Sequence, residues 1–429
     1  MSISQNFPNT RPSLSINFAR SQRLDPRITF ARTTSGTRVG PDGYIEVIPA
    51  DQPRFDFDPV TGESLGLLIE EQRVNRCTQS VNFNFSATSN TTETTIFNPD
   101  GTAAVRRVPL SSGNFHGASS NAADIDITGQ SVGGTTDVTT SIFVRNYNNS
   151  NLRLLIGFVA FDATPTYRYF LTVIDTANPT TLGIPSGVGW SNGSTKVENY
   201  GNGWYRYTLS GRYNKVAGFN TISFVGEQIH SSTGQQFWNG DDVSGIYTWG
   251  KQIELGLFST SYIPTAGSTV TRTVDNAKID GTAFSSFYNP TEWTLMIGAR
   301  RNYAGNFLGY PNLARINDGT NNNNIAFYGA DASNQLTNNS ITSGGVSYTT
   351  YVARSIPTTA PFKMIQALKK DSSTFGVDGV MTTTDTSVEM PVAPNQLIIG
   401  GDGKWGGTIQ QLLYYPTALP SNQLVTLTK

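Results

Sequence analysis

A chain of 429 residues with one cysteine, Cys77, and two histidines, His116 and His230, lacks the raw material for several kinds of chemistry. A single thiol excludes an internal disulfide and a cysteine-built zinc site. Two histidines far apart in sequence give no pattern for a histidine metal cluster or a Ser-His-Asp triad. Cys77 has no adjacent His or Lys to activate it and is expected to be inert. Charge is scarce too: 14 % of the residues are charged, 30 basic against 31 acidic, for a net charge of −1. No global field would draw such a chain to nucleic acid or to an anionic membrane, and neither is an expected partner. Long apolar runs are also missing. The longest, LRLLIGFVAF from Leu152, is too short to cross a bilayer, and the first 20 residues lack the apolar stretch of a signal peptide. The expectation is synthesis in a cytosol without membrane insertion, with any role outside the cell following release by another route such as lysis.

What is present points to folded β structure. Hydrophobic residues make up 37 % and aromatics 11 %, enough for real cores, and the length suggests two or three domains. Alternating runs recur, among them TSIFVRNY from Thr140, YRYFLTVI from Tyr167, WYRYTLSG from Trp204 and WTLMIGAR from Trp293. Clusters of Gly, Asn, Asp and Ser separate them, which predicts an all-β protein of antiparallel sandwiches. Three segments differ in character. Residues 1–76 carry nine arginines, nine acidic residues and no lysine. Such a segment reads either as a docking region, because Arg makes rigid bidentate contacts, or as a small local fold pinned by Arg-carboxylate pairs. Residues 77–283 form a first strand-rich unit and residues 284–429 a second.

Cleaving a glycosidic bond needs two carboxylates about 5 to 9 Å apart. The nearest local match is ADIDITG, where Asp124 and Asp126 share a strand face, although Thr128 and Gln130 follow on that face and an exposed polar face is the simpler reading. Glu254 lies in YTWGKQIELGLFSTSYIPT. Strict alternation there puts Tyr247, Trp249, Ile253 and Leu255 on one face and Thr248, Gly250, Gln252 and Glu254 on the other, with Lys251 out of pattern. Glu254 has Gln252 and Gly256 beside it and no partner acid, so it reads as a polar strand-face residue. Aromatic rings with polar company are the better candidates for holding sugar, because a flat apolar face receives the C–H face of a sugar ring. Trp190 in GVGWSNGS, Trp238 in QQFWNGDD and Trp405 in GDGKWGGTIQ fit that description, while Trp204, Trp249 and Trp293 sit at strand spacing and read as core. No cofactor is implied. Calcium is left unassigned, since Asp241, Asp242 and Asp318 lie in oxygen-rich loops without the spacing of a dedicated calcium loop and read as turn formers.

These motifs carry a resemblance. The run from Arg23 to Arg76, with LDPRITF at Leu24, Asp-Gly at Asp42, PRFD at Pro53 and GLLIEEQRVN at Gly66, resembles a module near the start of tailed-phage head-spike, head-fibre and tail-fibre proteins. NGWYRYTLSG at Asn202 and the stretch from Tyr247 resemble late strands of a carbohydrate-binding-module-like jelly roll, in which the Gln252/Glu254 pair is structural. FGVDGV at Phe375 and LIIGGDGKWGGTIQQLLYYPTALPSNQL at Leu397 are similar to a laminin-G or concanavalin-A-like sandwich. The repeated rung of a β-helical, sugar-cleaving tailspike is missing.

The resemblance implies tandem antiparallel jelly-roll sandwiches behind an Arg-rich segment, residues 1–76, that docks on other capsid or tail proteins. It further implies a virion protein made in a bacterial cytoplasm, a homotrimer, and non-cleaving contact with host-surface polysaccharide. No coiled-coil heptads enforce the trimer. A capsid decoration or cement protein is the first alternative reading. A polysaccharide depolymerase using Asp124, Asp126 or Glu254 is the second.

Overall fold

The computed structural model describes residues 7–81, 84–118, 122–148, 150–162, 166–179, 181–182, 187–302, 311–328, 337–352, 356–357, 360–401 and 405–429. The protein is nearly all β, and every ladder between its described strands is antiparallel. Two sandwiches account for most of it.

In the middle sandwich a six-stranded sheet runs in the order Trp190–Asn199, Trp204–Asn214, Thr135–Tyr147, Gly245–Leu255, Ala103–Pro109, Thr88–Phe97. It faces a five-stranded sheet in the order Ile125–Asp126, Phe219–His230, Arg153–Asp162, Tyr167–Asp175, Thr181–Leu182. Alternate residues of the two sheets, among them Ile142, Leu209 and Ile253 on one and Leu154, Phe158 and Phe170 on the other, form a single buried core. The second sandwich packs an eight-stranded sheet, centred on Glu292–Arg301 and Gly406–Tyr415, on a seven-stranded sheet that includes Asn276–Asp280, Asn312–Asn317 and Gln396–Ile399. Trp293, Leu295 and Ile297 of the first sheet and Leu313 and Leu397 of the second are buried together in its core. At Asp378-Gly379 both residues have positive φ, 44° and 82°, and join Ser372–Val377 to Val380–Met381 through a two-residue hairpin turn, as an Asp-Gly pair allows.

The boundaries at 76/77 and 283/284 do not coincide with the sheets. Leu14–Asn17 and Ser64–Glu70 both pair with Gly406–Tyr415, Arg54–Phe57 pairs with Ser64–Glu70, and Thr29–Ala31 pairs with Asn276–Asp280. The N-terminal segment therefore completes the second sandwich instead of standing apart from it. Its arginines divide accordingly. Arg32 and Arg54 are buried with Arg272 around Glu70 and Asp275: Arg54 Nη1 lies 2.8 Å from Glu70 Oε2, and Arg32 Nη1 lies 3.0 Å from Asp275 Oδ1. Arg11, Arg20 and Arg23 are exposed. The hairpin of Gly36–Val39 with Ile45–Ile48 reaches the middle sandwich, where Ile45 packs among Phe143, Trp204, Tyr247, Trp249 and Tyr262 on the outer face of the six-stranded sheet.

Strict alternation fails in one strand of consequence. Gly250, at φ 65°, sits in a bulge where the register against Thr135–Tyr147 shifts between Ser141 and Phe143. Tyr247 and Trp249 consequently face outward, whereas Ile253 turns into the middle core, so the four apolar residues do not share one face. Lys251, out of pattern by simple alternation, is fully buried with its Nζ 3.0 Å from Glu227 Oε2 and 4.9 Å from the centre of the Phe224 ring.

Candidate functional site

Burial removes two of the three candidate tryptophans. Trp190 is only 8 % exposed, stacks on Phe170 at 4.8 Å and donates its Nε1–H to the Arg168 carbonyl. Trp405 is wholly buried in the core of the second sandwich, next to Phe362. Turn-rich flanks were a poor guide here, because each indole begins or precedes a strand and points inward. Trp238 is half-buried, donates Nε1–H to the Ile229 carbonyl and meets His116 edge-on at 5.2 Å. Trp204, Trp249 and Trp293 are core residues as expected.

The carboxylates also find structural partners. Glu254 is fully buried; Oε1 accepts from Thr260 Oγ1 at 2.6 Å and Oε2 from the Thr260 amide at 3.1 Å, which closes the turn after the strand. Asp241, Asp242 and Asp318 accept hydrogen bonds from nearby turn residues, such as Ser244 N at 2.7 Å, Ser111 N at 2.9 Å and Thr320 N at 2.9 Å. Among the described residues no group of three or more His, Cys, Asp or Glu is placed to hold a metal ion. The Cys77 thiol is buried, and that burial pushes it up to about 11.

The surface with the composition of a ligand site is the outer face of the five-stranded sheet. In Tyr167–Asp175 the inner positions are taken by Phe170, Thr172 and Ile174, which leaves Tyr167 and Tyr169 to the outside, 52 % and 48 % exposed. Register places Asp126, Thr221, Phe161 and Tyr167 opposite one another across four strands. The adjoining row runs Ser223, Val159, Tyr169, and Ser223 Oγ donates to Asp124. The Phe161 and Tyr167 rings lie 6.5 Å apart, and those of Tyr167 and Tyr169 lie 5.8 Å apart at 30°. At roughly 4.8 Å per strand spacing, the exposed acids stand about 14 Å from the tyrosines. The face thus offers aromatic surface at one side, hydroxyls in the middle and carboxylates at the other. Hydrogen bonds from Thr128 hold Asp126 below the usual carboxylate range, so it is an acceptor at neutral pH.

Asp124 and Asp126 do share an exposed face, as the alternation predicts. Phe161, Tyr167 and Tyr169 were not among the expected ligand contacts: period two in YRYFLTVI sets Tyr167, Tyr169, Leu171 and Val173 against Arg168, Phe170, Thr172 and Ile174, so the sequence makes the tyrosine face the more apolar one and does not mark it as the outer face.

No protein-family model matches the sequence, and no curated protein matches it. Solved structures with partial likeness include the CBM40 of the Ruminococcus gnavus IT-sialidase bound to α2,3-sialyllactose, at 14 % identity and TM-score 0.28, covering 33 % of this chain and 84 % of that one. Domain 4 of AbnA, a GH43 extracellular arabinanase from Geobacillus stearothermophilus in complex with arabinotriose, is similar at 13 % identity and TM-score 0.31, covering 40 % and 82 %. Trypanosoma rangeli sialidase is similar at 10 % identity and TM-score 0.29, over 76 % of this chain and 60 % of that one. Likeness of this degree leaves function to the chain's own residues.

Proposed function

We propose that the protein is a non-enzymatic appendage of a tailed-phage virion, a fibre or spike on capsid or tail, that contacts host-surface glycan without cleaving it. The observation that carries the glycan contact is the outer face of the five-stranded sheet, where Phe161, Tyr167 and Tyr169 lie across from Thr221, Ser223, Asp124 and Asp126. Sugars present apolar C–H faces and a rim of hydroxyls, and this face answers both. Non-cleavage is supported by the state of two of the candidate acids: a glycosidase needs a general acid with a raised carboxyl, whereas Thr128 holds Asp126 below the usual range and Glu254 is buried and bonded to Thr260. The virion role is supported by the resemblance of residues 23–76 to the opening module of phage spike and fibre proteins. In this reading the exposed Arg11, Arg20 and Arg23 dock on neighbouring virion proteins, while the buried arginines hold the segment in shape. Assembly as a homotrimer would multiply weak sugar sites by avidity.

Immunogold labelling of purified virions with antibody to this protein tests the assignment. The expected result is label on the head or the tail. Virions that carry no label, with the protein recovered only from lysate, would contradict it.

A further inference from the structure

The N-terminal segment and the two sandwiches meet around a cleft of about 420 Å³. That lies within the ~300–1,000 Å³ typical of small-molecule sites. Residues 57–61 form one wall, the edge strand Trp190–Asn199 with Lys196 and Glu198 forms another, and Arg300 and Asn302 close the third. Tyr200, Arg206 and residues 259–262 make the floor. None of these residues belongs to the aromatic sheet face.

The walls are set by hydrogen bonds, so the space is a built one. Asp58 Oδ1 accepts from the amides of Val60 and Thr61, both at 2.9 Å, which fixes the rim loop. Lys196 Nζ donates to Glu198 Oε1 at 2.8 Å and to the Asn302 carbonyl at 2.6 Å, tying the middle sandwich to the end of Glu292–Arg301. On the floor, Glu70 Oε2 accepts from Ser261 Oγ at 2.6 Å and Arg206 Nη2 donates to Ser141 Oγ at 2.9 Å. Asp56 lines the cleft, with its carboxylate accepting from the Val39 amide at 2.8 Å.

The lining chemistry narrows the ligand. Five cationic and four acidic side chains line it, and Lys196 with Glu198 is already paired, so the small net charge does not favour a strongly charged ligand. Val39, Phe57, Val60 and Leu65 add apolar wall between the polar groups. Hydroxyls that both donate and accept suit such a mixture, with Asp56 as an acceptor. We infer that the cleft is a second ligand site, taking a neutral mono- or disaccharide between the N-terminal segment and the two sandwiches.

The test uses full-length protein carrying Tyr167→Ala and Tyr169→Ala, which disables the sheet face and leaves the cleft intact. It is titrated by saturation-transfer NMR with glucose, galactose, N-acetylglucosamine, maltose, lactose and chitobiose. Saturable binding of at least one of these is expected. Adding Thr61→Trp at the exposed rim, which fills the cleft, should weaken it at least tenfold, and Asp56→Asn should weaken it too; Thr61→Trp decides should Asp56→Asn fail to fold. Absence of saturable binding, or binding that Thr61→Trp leaves unchanged, would overturn the inference. The native protein is titrated alongside, and binding that is the same with and without the two tyrosines but lost in Thr61→Trp would uphold the cleft and sink the sheet-face reading alone.

Discussion

At the scale of single residues, Glu254, one of the acids that a glycosidase would use, is engaged in holding the fold. Glu254 closes its turn through two bonds to Thr260 with no exposure to solvent. Glu254→Gln should therefore lower stability by about 2 kcal/mol, the range for a buried hydrogen bond to a charged group, and leave glycan affinity unchanged. Chemical denaturation beside a binding titration checks both. Glu70 makes a pH-dependent contribution. Burial pushes its carboxyl up, but Arg272 and Arg54 outweigh that and bring it down to about 2 from 4.5. A depressed carboxyl stabilises the fold above its unfolded value, and that contribution disappears as pH falls from about 4.5 through 2. Over that window the loss should reach about 3 kcal/mol. Asp56 acts with the opposite sign: burial holds it at about 6, so it favours the fold as pH falls from 6 towards 3.8. Denaturation midpoints from pH 7 to 2 should show the acid limb in the native protein. In Glu70→Gln the limb should shrink and the protein should be less stable at pH 7, because Arg54 and Arg272 lose a buried partner.

At the scale of elements, the strand Tyr167–Asp175 carries the binding claim. Replacing Tyr167 and Tyr169 by Ala removes rings about half exposed and outside the core, so thermal stability should change little while glycan affinity falls by 10-fold or more. Much of this architecture was legible in the sequence. Period-two alternation in YRYFLTVI and WYRYTLSG gives strands where the structure has them, and Asp378-Gly379 forms a hairpin turn. Pairing over long separations was not legible. Ser64–Glu70 joins Gly406–Tyr415 through backbone hydrogen bonds, which leave no local pattern to read. The bulge at Gly250 reverses faces in mid-strand, and only Lys251, buried on Glu227, hinted at the change of phase. The tryptophans misled because Gly and Asn flanks report a turn nearby, not the direction of the side chain. Trp190 and Trp405 both follow such flanks and both are buried.

At the scale of the whole molecule, the N-terminal segment is part of the second sandwich. Strands from residues 14–70 lie in both of its sheets, and Arg32 and Arg54 are neutralised by Asp275 and Glu70. A chain starting at residue 77 would expose the edge of Gly406–Tyr415, take Arg32 and Arg54 from Asp275 and take Glu70 from Arg272, leaving those two buried charges only each other. It should fail to fold cooperatively, and a soluble fragment with native-like melting would contradict this account of the segment. In the proposed function the whole folded protein holds glycan on one sheet face and leaves it uncut. The most direct measurement is isothermal titration of the intact protein with polysaccharide from the host surface, alongside the Tyr167→Ala/Tyr169→Ala protein, followed by sizing of the recovered polysaccharide. The account predicts saturable binding that the double substitution weakens at least tenfold, and polysaccharide of unchanged length. Equal binding by both proteins, or shortened polysaccharide, would contradict it.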